Sequence, residues 1–251
     1  MPLLYRELRP PAAWAEWVEC LWYLESKEAV NQYRVPPDGC LDIVYTPVLG
    51  LRAVGTMTVE QRFRFESGSH SAGIRFHPGM AGTLLRVAPA ELTDRIVPLA
   101  EVWGRRAAEL ERRLDGTAGG SASLAILRDA LAEPAGAPNT VQRAIAELVA
   151  TEGTARLEWI ARQANLSQRQ FRRRCLEESG LTPKLLSRVL RFRRACRLAE
   201  TAPRPDWARL ACEAGYFDQA HLIRDFREFT GSTPVAVFSN PLDPPPATIG
   251  A

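Results

Sequence analysis

Between Arg169 and Arg197 stand ten basic side chains and only two acids, Glu177 and Glu178. That imbalance suits a polyanion partner. The spacing adds a second property. Phe171 and Cys175 are four apart and share one helix face, which leaves Gln168, Arg169, Arg172 and Arg173 on the outward faces. An Arg fork matches guanine O6 and N7 in a major groove, and Gln matches adenine N6 and N7. About fifty residues later, Leu222 and Phe226 are again four apart, with Gln219, Ala220, Ile223 and Arg224 around them. Arg188 and Arg191, on the basic stretch between the two segments, complete the DNA-binding candidates. The competing reading is a solvated face laced with ion pairs, for which two acids are few partners.

Other chemistry has less to work with. The three histidines are His70, His77 and His221. His221 sits beside Leu222 and reads as a packing residue, and His70 reads as exposed loop. His77 follows an apolar run at His77-Pro78-Gly79, where a structural turn competes with a pocket or catalytic role. Trp22, Asp42, Arg75 and His77 are the candidate effector pocket, and Asp42, Arg75 and His77 are also the place an active site would occupy. The Asp of Pro37-Asp38-Gly39 is ordinary turn chemistry. No His/Cys pair has zinc spacing, and neither a Gly-rich phosphate loop nor a Gly-x-Ser-x-Gly elbow occurs. No metal and no cofactor is expected. Trp14, Trp17, Trp22 and Tyr23 read mostly as core, with a pocket rim as the sharper alternative.

Composition agrees with a soluble globular protein. Apolar residues make up 46% and charged residues 24%. No apolar run is long enough to span a bilayer, and no signal peptide is apparent. Cys20, Cys40, Cys175, Cys196 and Cys212 form no CxxC pair, and buried free thiols in a reducing cytoplasm are expected. The net charge of +3 is unevenly divided: residues 1–138 hold 15 Lys+Arg against 17 Asp+Glu, and residues 139–251 hold 17 against 12.

These side chains need elements to hold them. Residues 1–77 predict short strands at Cys20–Leu24, Gln32–Val35, Leu41–Tyr45, Leu51–Gly55, Arg62–Phe65 and Ser71–Phe76, punctuated by Pro36-Pro37-Asp38-Gly39 and Pro47. Such spacing suggests a small antiparallel barrel or sandwich. Helices are then expected at Met80–Val87, Leu99–Leu114 and Leu124–Leu131, with a break at Gly116–Ser123. Residues 134–138, Pro-Ala-Gly-Ala-Pro, read as a linker, and residues 240–251 as a disordered tail. The expected fold is therefore an α+β N-terminal domain over 1–133 and an all-α domain over 139–239. Within the latter, Asn139 caps a first helix, and the pair Leu157–Ala164 and a Ser167-capped helix is repeated as Leu210-Ala211 and an Asp218-capped helix, with one extra residue in the second turn. A short helix, a tight turn and a second helix present that second helix to a major groove.

Residues 139–238 resemble the AraC/XylS family of bacterial transcription regulators. The segments that carry the likeness are Ile160-Ala161, Leu166-Ser167, Phe171-Arg172-Arg173, Gly180-Leu181-Thr182-Pro183, Leu210-Ala211, Gly215-Tyr216-Phe217-Asp218-Gln219, His221-Leu222, Arg224, Phe226 and Gly231-Ser232-Thr233-Pro234. The resemblance implies reading helices at Gln168–Glu177 and Gln219–Phe229. Three positions depart from the pattern: Val237 precedes the aromatic Phe238, Cys175 replaces a large aromatic, and Ala220 replaces a polar residue. The N-terminal half looks like a sensor domain found on a subset of these regulators, through 35–44, 73–79 and 91–95, with no ligand implied.

The expected function is a cytoplasmic, sequence-specific DNA-binding transcription factor, not an enzyme. Its partners are double-stranded DNA, a small-molecule effector sensed by the N-terminal domain or a second copy of the chain, and RNA polymerase if it is an activator. No membrane partner is expected. The alternatives are an enzyme with its site in the N-terminal barrel, targeted or regulated by the DNA-binding domain, and an N-terminal domain that serves only as a dimerisation module.

Overall fold

Alternation of apolar and polar residues builds the first half. A computed structural model describes residues 3–131, 136–202 and 204–239. Its strands are β1 (Leu3–Leu8), β2 (Val18–Ser26), β3 (Val30–Val35), β4 (Leu41–Thr46), β5 (Gly50–Val54), β6 (Gln61–Phe65), β7 (His70–Phe76) and β8 (Ile96–Pro98). Six of them form one antiparallel sheet in the order β1-β2-β7-β4-β5-β8, and β3 and β6 pair as a separate ribbon. Among the described residues β1 and β8 remain open edges, so the sheet does not close into a barrel.

One face of the sheet carries Leu21, Ile43, Tyr45, Leu51, Ala53, Ala72, Ile74 and Phe76. Against it pack α1 (Ala81–Leu85), α2 (Leu99–Trp103), α3 (Arg105–Leu114) and α4 (Gly120–Ala130). The period-2 pleat sends Glu7, Trp22, Asp42 and Arg75 to the opposite face. The single helix expected over 99–114 is broken at Gly104, whose φ of 56° and ψ of −131° interrupt the helical ladder. The expected break at 116–123 is shorter, because α4 begins at Gly120. His70 is the first residue of β7, not a loop, and its ring lies 3.3 Å from Ser123 Oγ. Of the thiols, Cys20, Cys40, Cys175 and Cys196 are buried, while Cys212 is exposed.

The second half is helical: α5 (Thr140–Ala150), α6 (Leu157–Gln163), α7 (Gln168–Ser179), α8 (Pro183–Thr201), α9 (Trp207–Glu213), α10 (Gln219–Thr230) and α11 (Pro234–Ser239). Asn139 caps α5 in a reciprocal capping box with Gln142. The long α8 is the spine, and its Phe192 lies edge-on to Phe226 and Phe229 with centroids 4.8 and 5.3 Å away. Residues 134 and 135 of the expected linker, and all of the expected tail, lie outside the described residues.

The halves touch along a broad front. Gln142 Nε2 donates to Gly79 O and Thr83 Oγ1 at 3.2 and 3.0 Å. Arg193, on α8, donates to Asp38 O at 3.0 Å and pairs with Glu19 at 2.7 Å. Gly39 and Gly79 have φ of 82°, and a Cβ on either would come within 3 Å of Leu186 or Ile145 across the junction.

Candidate nucleic-acid interface

Two turns with the same backbone geometry aim two helices. After α6, Asn165 takes a left-handed φ of 54°, and after α9 Gly215 takes 81°. In the first turn Leu166 N donates to Ala161 O and Asn165 N to Arg162 O; in the second Tyr216 N donates to Ala211 O and Gly215 N to Cys212 O. This crossed pair is the Schellman arrangement, closed in each case by an apolar residue just past the helix end. The second turn then inserts Phe217, which is 90% exposed, before Asp218.

Caps begin the reading helices. Ser167 Oγ accepts from Gln170 N at 3.2 Å while Gln170 Oε1 accepts from Ser167 N, closing a capping box for α7. Asp218 Oδ1 accepts from His221 N at 2.7 Å at the start of α10. Phe171 and Cys175 anchor α7 inward, and Leu222 and Phe226 anchor α10. The outward side of α7 therefore exposes Gln168, Arg169, Arg172 and Arg173, all named from the sequence, together with Arg174, which was not. Arg174 lies five residues after Arg169, and counting every arginine clear of the Phe171–Cys175 face would have found it. On α10, Gln219, Ala220 and Arg224 are exposed, and Ile223 is half-buried against the core.

Arg188 and Arg191 are held differently. Arg188 Nε and Nη2 donate to Asp225 Oδ1 at 3.1 and 2.7 Å, and its Nη1 donates to Glu228 Oε1 at 3.0 Å. Its guanidinium also lies 5.2 Å from the Phe229 ring. Arg191 donates to Gly153 O at 3.1 Å and lies over Tyr216 at 5.6 Å. Arg188 thus ties α10 to α8, and Arg191 ties the second turn and the α5–α6 connection to it.

In the N-terminal half, the structure brings together three of the four pocket candidates. Trp22 packs against Gly73, where a Cβ would come within 2.4 Å of the indole, and its Nε1 donates to Asp42 Oδ1 at 2.8 Å. Buried Arg75 sits 3.4 Å from both Asp42 and Asp38, and 3.5 Å from Glu7. Burial, with Asp38 adding to it, outweighs Arg75 and pushes the Asp42 carboxyl up to about 6. His77 lies near Glu19 and the Ala15 backbone, and burial lowers its pKa. Glu19 is half-buried, and its desolvation would raise it, but Arg193 and a hydrogen bond from Cys40 hold its carboxyl down at about 2. Sequence reasoning missed the Glu19–Arg193 pair, whose members stand 174 residues apart.

Comparison with known proteins follows the same division. Residues 160–240 match the family described as a helix-turn-helix domain, and residues 6–98 match a domain of unknown function, DUF6597. No curated protein matches the chain. Among solved structures, an apo lysine-to-alanine variant of ToxT from Vibrio cholerae is similar at 13% identity and a TM-score of 0.43, covering 94% of this chain and 96% of that one. ToxT from the same organism with an unsaturated fatty acid bound is similar at 11% identity and a TM-score of 0.40, covering 84% and 95%. Likeness at this level says nothing about ligand or partner. The helix-turn-helix match supports a DNA-binding transcription regulator. The chain thus joins an N-terminal region that matches DUF6597 to a C-terminal helix-turn-helix domain.

Proposed function

We propose that the chain is a sequence-specific transcription regulator that lays α7 and α10 into adjacent major-groove segments of double-stranded DNA. The observation that carries this reading is the pair of matched Schellman turns, each delivering a capped helix whose outward residues are exposed. Gln168, Arg169, Arg172, Arg173 and Arg174 form the stronger reader, and Gln219, Ala220, Ile223 and Arg224 the weaker one. Arg188 and Arg191 act in this reading as supports for α10.

The N-terminal half serves as the regulatory part, sensing a small molecule or contacting a second copy of the chain. The support for sensing is the polar face of the sheet at Trp22, Asp42 and Arg75, a buried charge network that a ligand could rearrange. Contact with RNA polymerase, as an activator, belongs to the same proposal. The test is fluorescence anisotropy with a duplex selected from random sequence, repeated across a salt series. Binding that weakens steeply with salt is expected from released counterions. Absence of binding to any duplex, or a salt slope near zero, would overturn the reading.

A further inference from the structure

The last carbonyls of a helix find no partner inside it. In both reading helices the N-terminal half of the chain supplies one. At the end of α7, Thr56 Oγ1 donates to Ser179 O at 2.9 Å and Thr93 Oγ1 donates to Gly180 O at 3.1 Å. Near the end of α10, Glu60 N donates to Phe229 O at 2.7 Å. Thr56 and Glu60 belong to one short connection between β5 and β6, so a single stretch of chain reaches both helices.

That stretch is braced. Asp94 accepts from Thr58 N and Thr58 Oγ1, both at 2.7 Å, and Asp94 N donates to Thr56 O at 3.1 Å. At its other end Arg34 Nε donates to Glu60 Oε2 at 2.9 Å. The fit at α7 is close: Gly180 has φ of 77°, and a Cβ there would lie 2.6 Å from Thr93 Oγ1 and 3.3 Å from Pro89 O. Meanwhile the outward residues Gln168, Arg169, Arg172, Gln219 and Arg224 stay exposed. The docked N-terminal half grips the far ends of the reading helices and leaves their starts open.

Resting on the reading of α7 and α10 as DNA readers, we propose that residues 56–60, with Thr93, are a strap that fixes the spacing and relative angle of the two readers. The docked form is therefore the DNA-competent one, and it discriminates how far apart its two half-sites lie. α8 packs against both units, and Gly215 of the second turn also meets Thr154 between α5 and α6; a further link at the far ends of α7 and α10 restrains how one unit can turn against the other. Thr56, Thr93 and Glu60 are positioning residues, acting through α7 and α10. Simple domain docking would stabilise the chain without touching half-site spacing. The strap makes spacing its specific readout, because each base pair inserted between half-sites moves one of them by about 3.4 Å and turns it by about 35°.

The test uses the full chain on its selected duplex and on versions with one base pair inserted or removed between the half-sites. Wild type is expected to lose about tenfold or more in affinity on either change, while Thr56→Val/Thr93→Val, which keeps side-chain shape but removes both donors, loses less than about threefold. Thr56→Ser/Thr93→Ser, which keeps the donors, is expected to discriminate as wild type does. Equal discrimination by the valine variant and wild type overturns the strap but leaves DNA reading intact. Failure of wild type to bind any duplex overturns the DNA reading and the strap with it. A measurement on wild type alone guards against a variant that does not fold: amide exchange at Glu60 is expected to be slowed about a hundredfold or more against an exposed amide, and an unprotected Glu60 N–H overturns the strap.

Discussion

The first helix-turn-helix unit exposes Arg169, Arg172, Arg173 and Arg174 on α7; the second exposes Gln219, Arg224 and Arg227 on α10, with Asp225 and Glu228 bound to Arg188. The inner faces differ as well. α7 places its large residue first, Phe171 and then Cys175, and α10 places it one turn later, Leu222 and then Phe226. Cys175 settles among Ser179 and the Leu181 carbonyl, whereas Phe226 lies among the rings of Phe192, Trp207 and Phe238. The same turn geometry thus serves two ends. The first unit spends its arginines outward, and the second is gripped by an ion pair and an aromatic cluster. A unit held this firmly can set register for its neighbour even when it reads few bases itself.

The comparison breaks most easily at the packing. Phe226→Ala is expected to lower stability by about 3–5 kcal/mol in urea denaturation, against about 1 kcal/mol for Cys175→Ala. Equal losses would mean the two anchors are equivalent. Next comes Arg188→Ala, expected to cost about 3 kcal/mol because it strands Asp225, which is 1% exposed. The same measurement on Arg172→Ala should move by less than about 0.5 kcal/mol. An Arg188→Ala chain that melts like wild type but binds DNA poorly would return Arg188 to the DNA contacts.

The helix that joins the units offers a pH probe. Glu19, paired with Arg193 of α8, is held at about 2 in the fold against 4.5 as its ordinary value. Its contribution is therefore fully present above pH 4.5 and lost as the pH falls from there toward 2. Asp42, raised to about 6 from 3.8, acts in the opposite sense, favouring the fold at low pH and losing that contribution between 3.8 and 6. Glu19→Gln should remove on the order of 2 kcal/mol of the acid-side loss, read as a flatter stability curve below pH 4.5. An unchanged slope would show that the pair does not hold α8. The smallest effect is at the caps. Ser167→Ala and Asp218→Ala should each cost about 1 kcal/mol, with Asp218→Ala the larger because a carboxylate also meets the helix dipole. A larger loss for Ser167→Ala in thermal melts would reverse that ranking.

What was legible in the sequence was local. Caps at Asn139, Ser167 and Asp218 announce themselves by residue type and position, and the inner anchors by a spacing of four. Strands with β-branched and aromatic runs stood out, while β1 did not, because Tyr5, Arg6 and Glu7 take their places only by pairing with β2. Gly104 ended a helix that the apolar period alone would continue. The sheet order was hidden, since β2 and β7 are neighbours in space and far apart in the chain. The same holds for the candidate site. Exposed Arg169, Arg172 and Arg173 could be named from one helix, but the inward assignment of Arg188 depends on Asp225, 37 residues away. The bond from Thr56 to the end of α7 spans 123 residues and leaves no local trace.

The claim that α7 is the dominant reader is tested most directly by titrating one selected, labelled duplex with the wild-type chain, Arg172→Ala and Arg224→Ala at a fixed salt concentration. Arg172→Ala is expected to weaken binding by roughly 1–3 kcal/mol, with the loss concentrated on duplexes that keep the matched guanine, and Arg224→Ala by less than about 0.7 kcal/mol. A larger loss for Arg224→Ala, or an Arg172→Ala loss equal on selected and random duplexes, would contradict it.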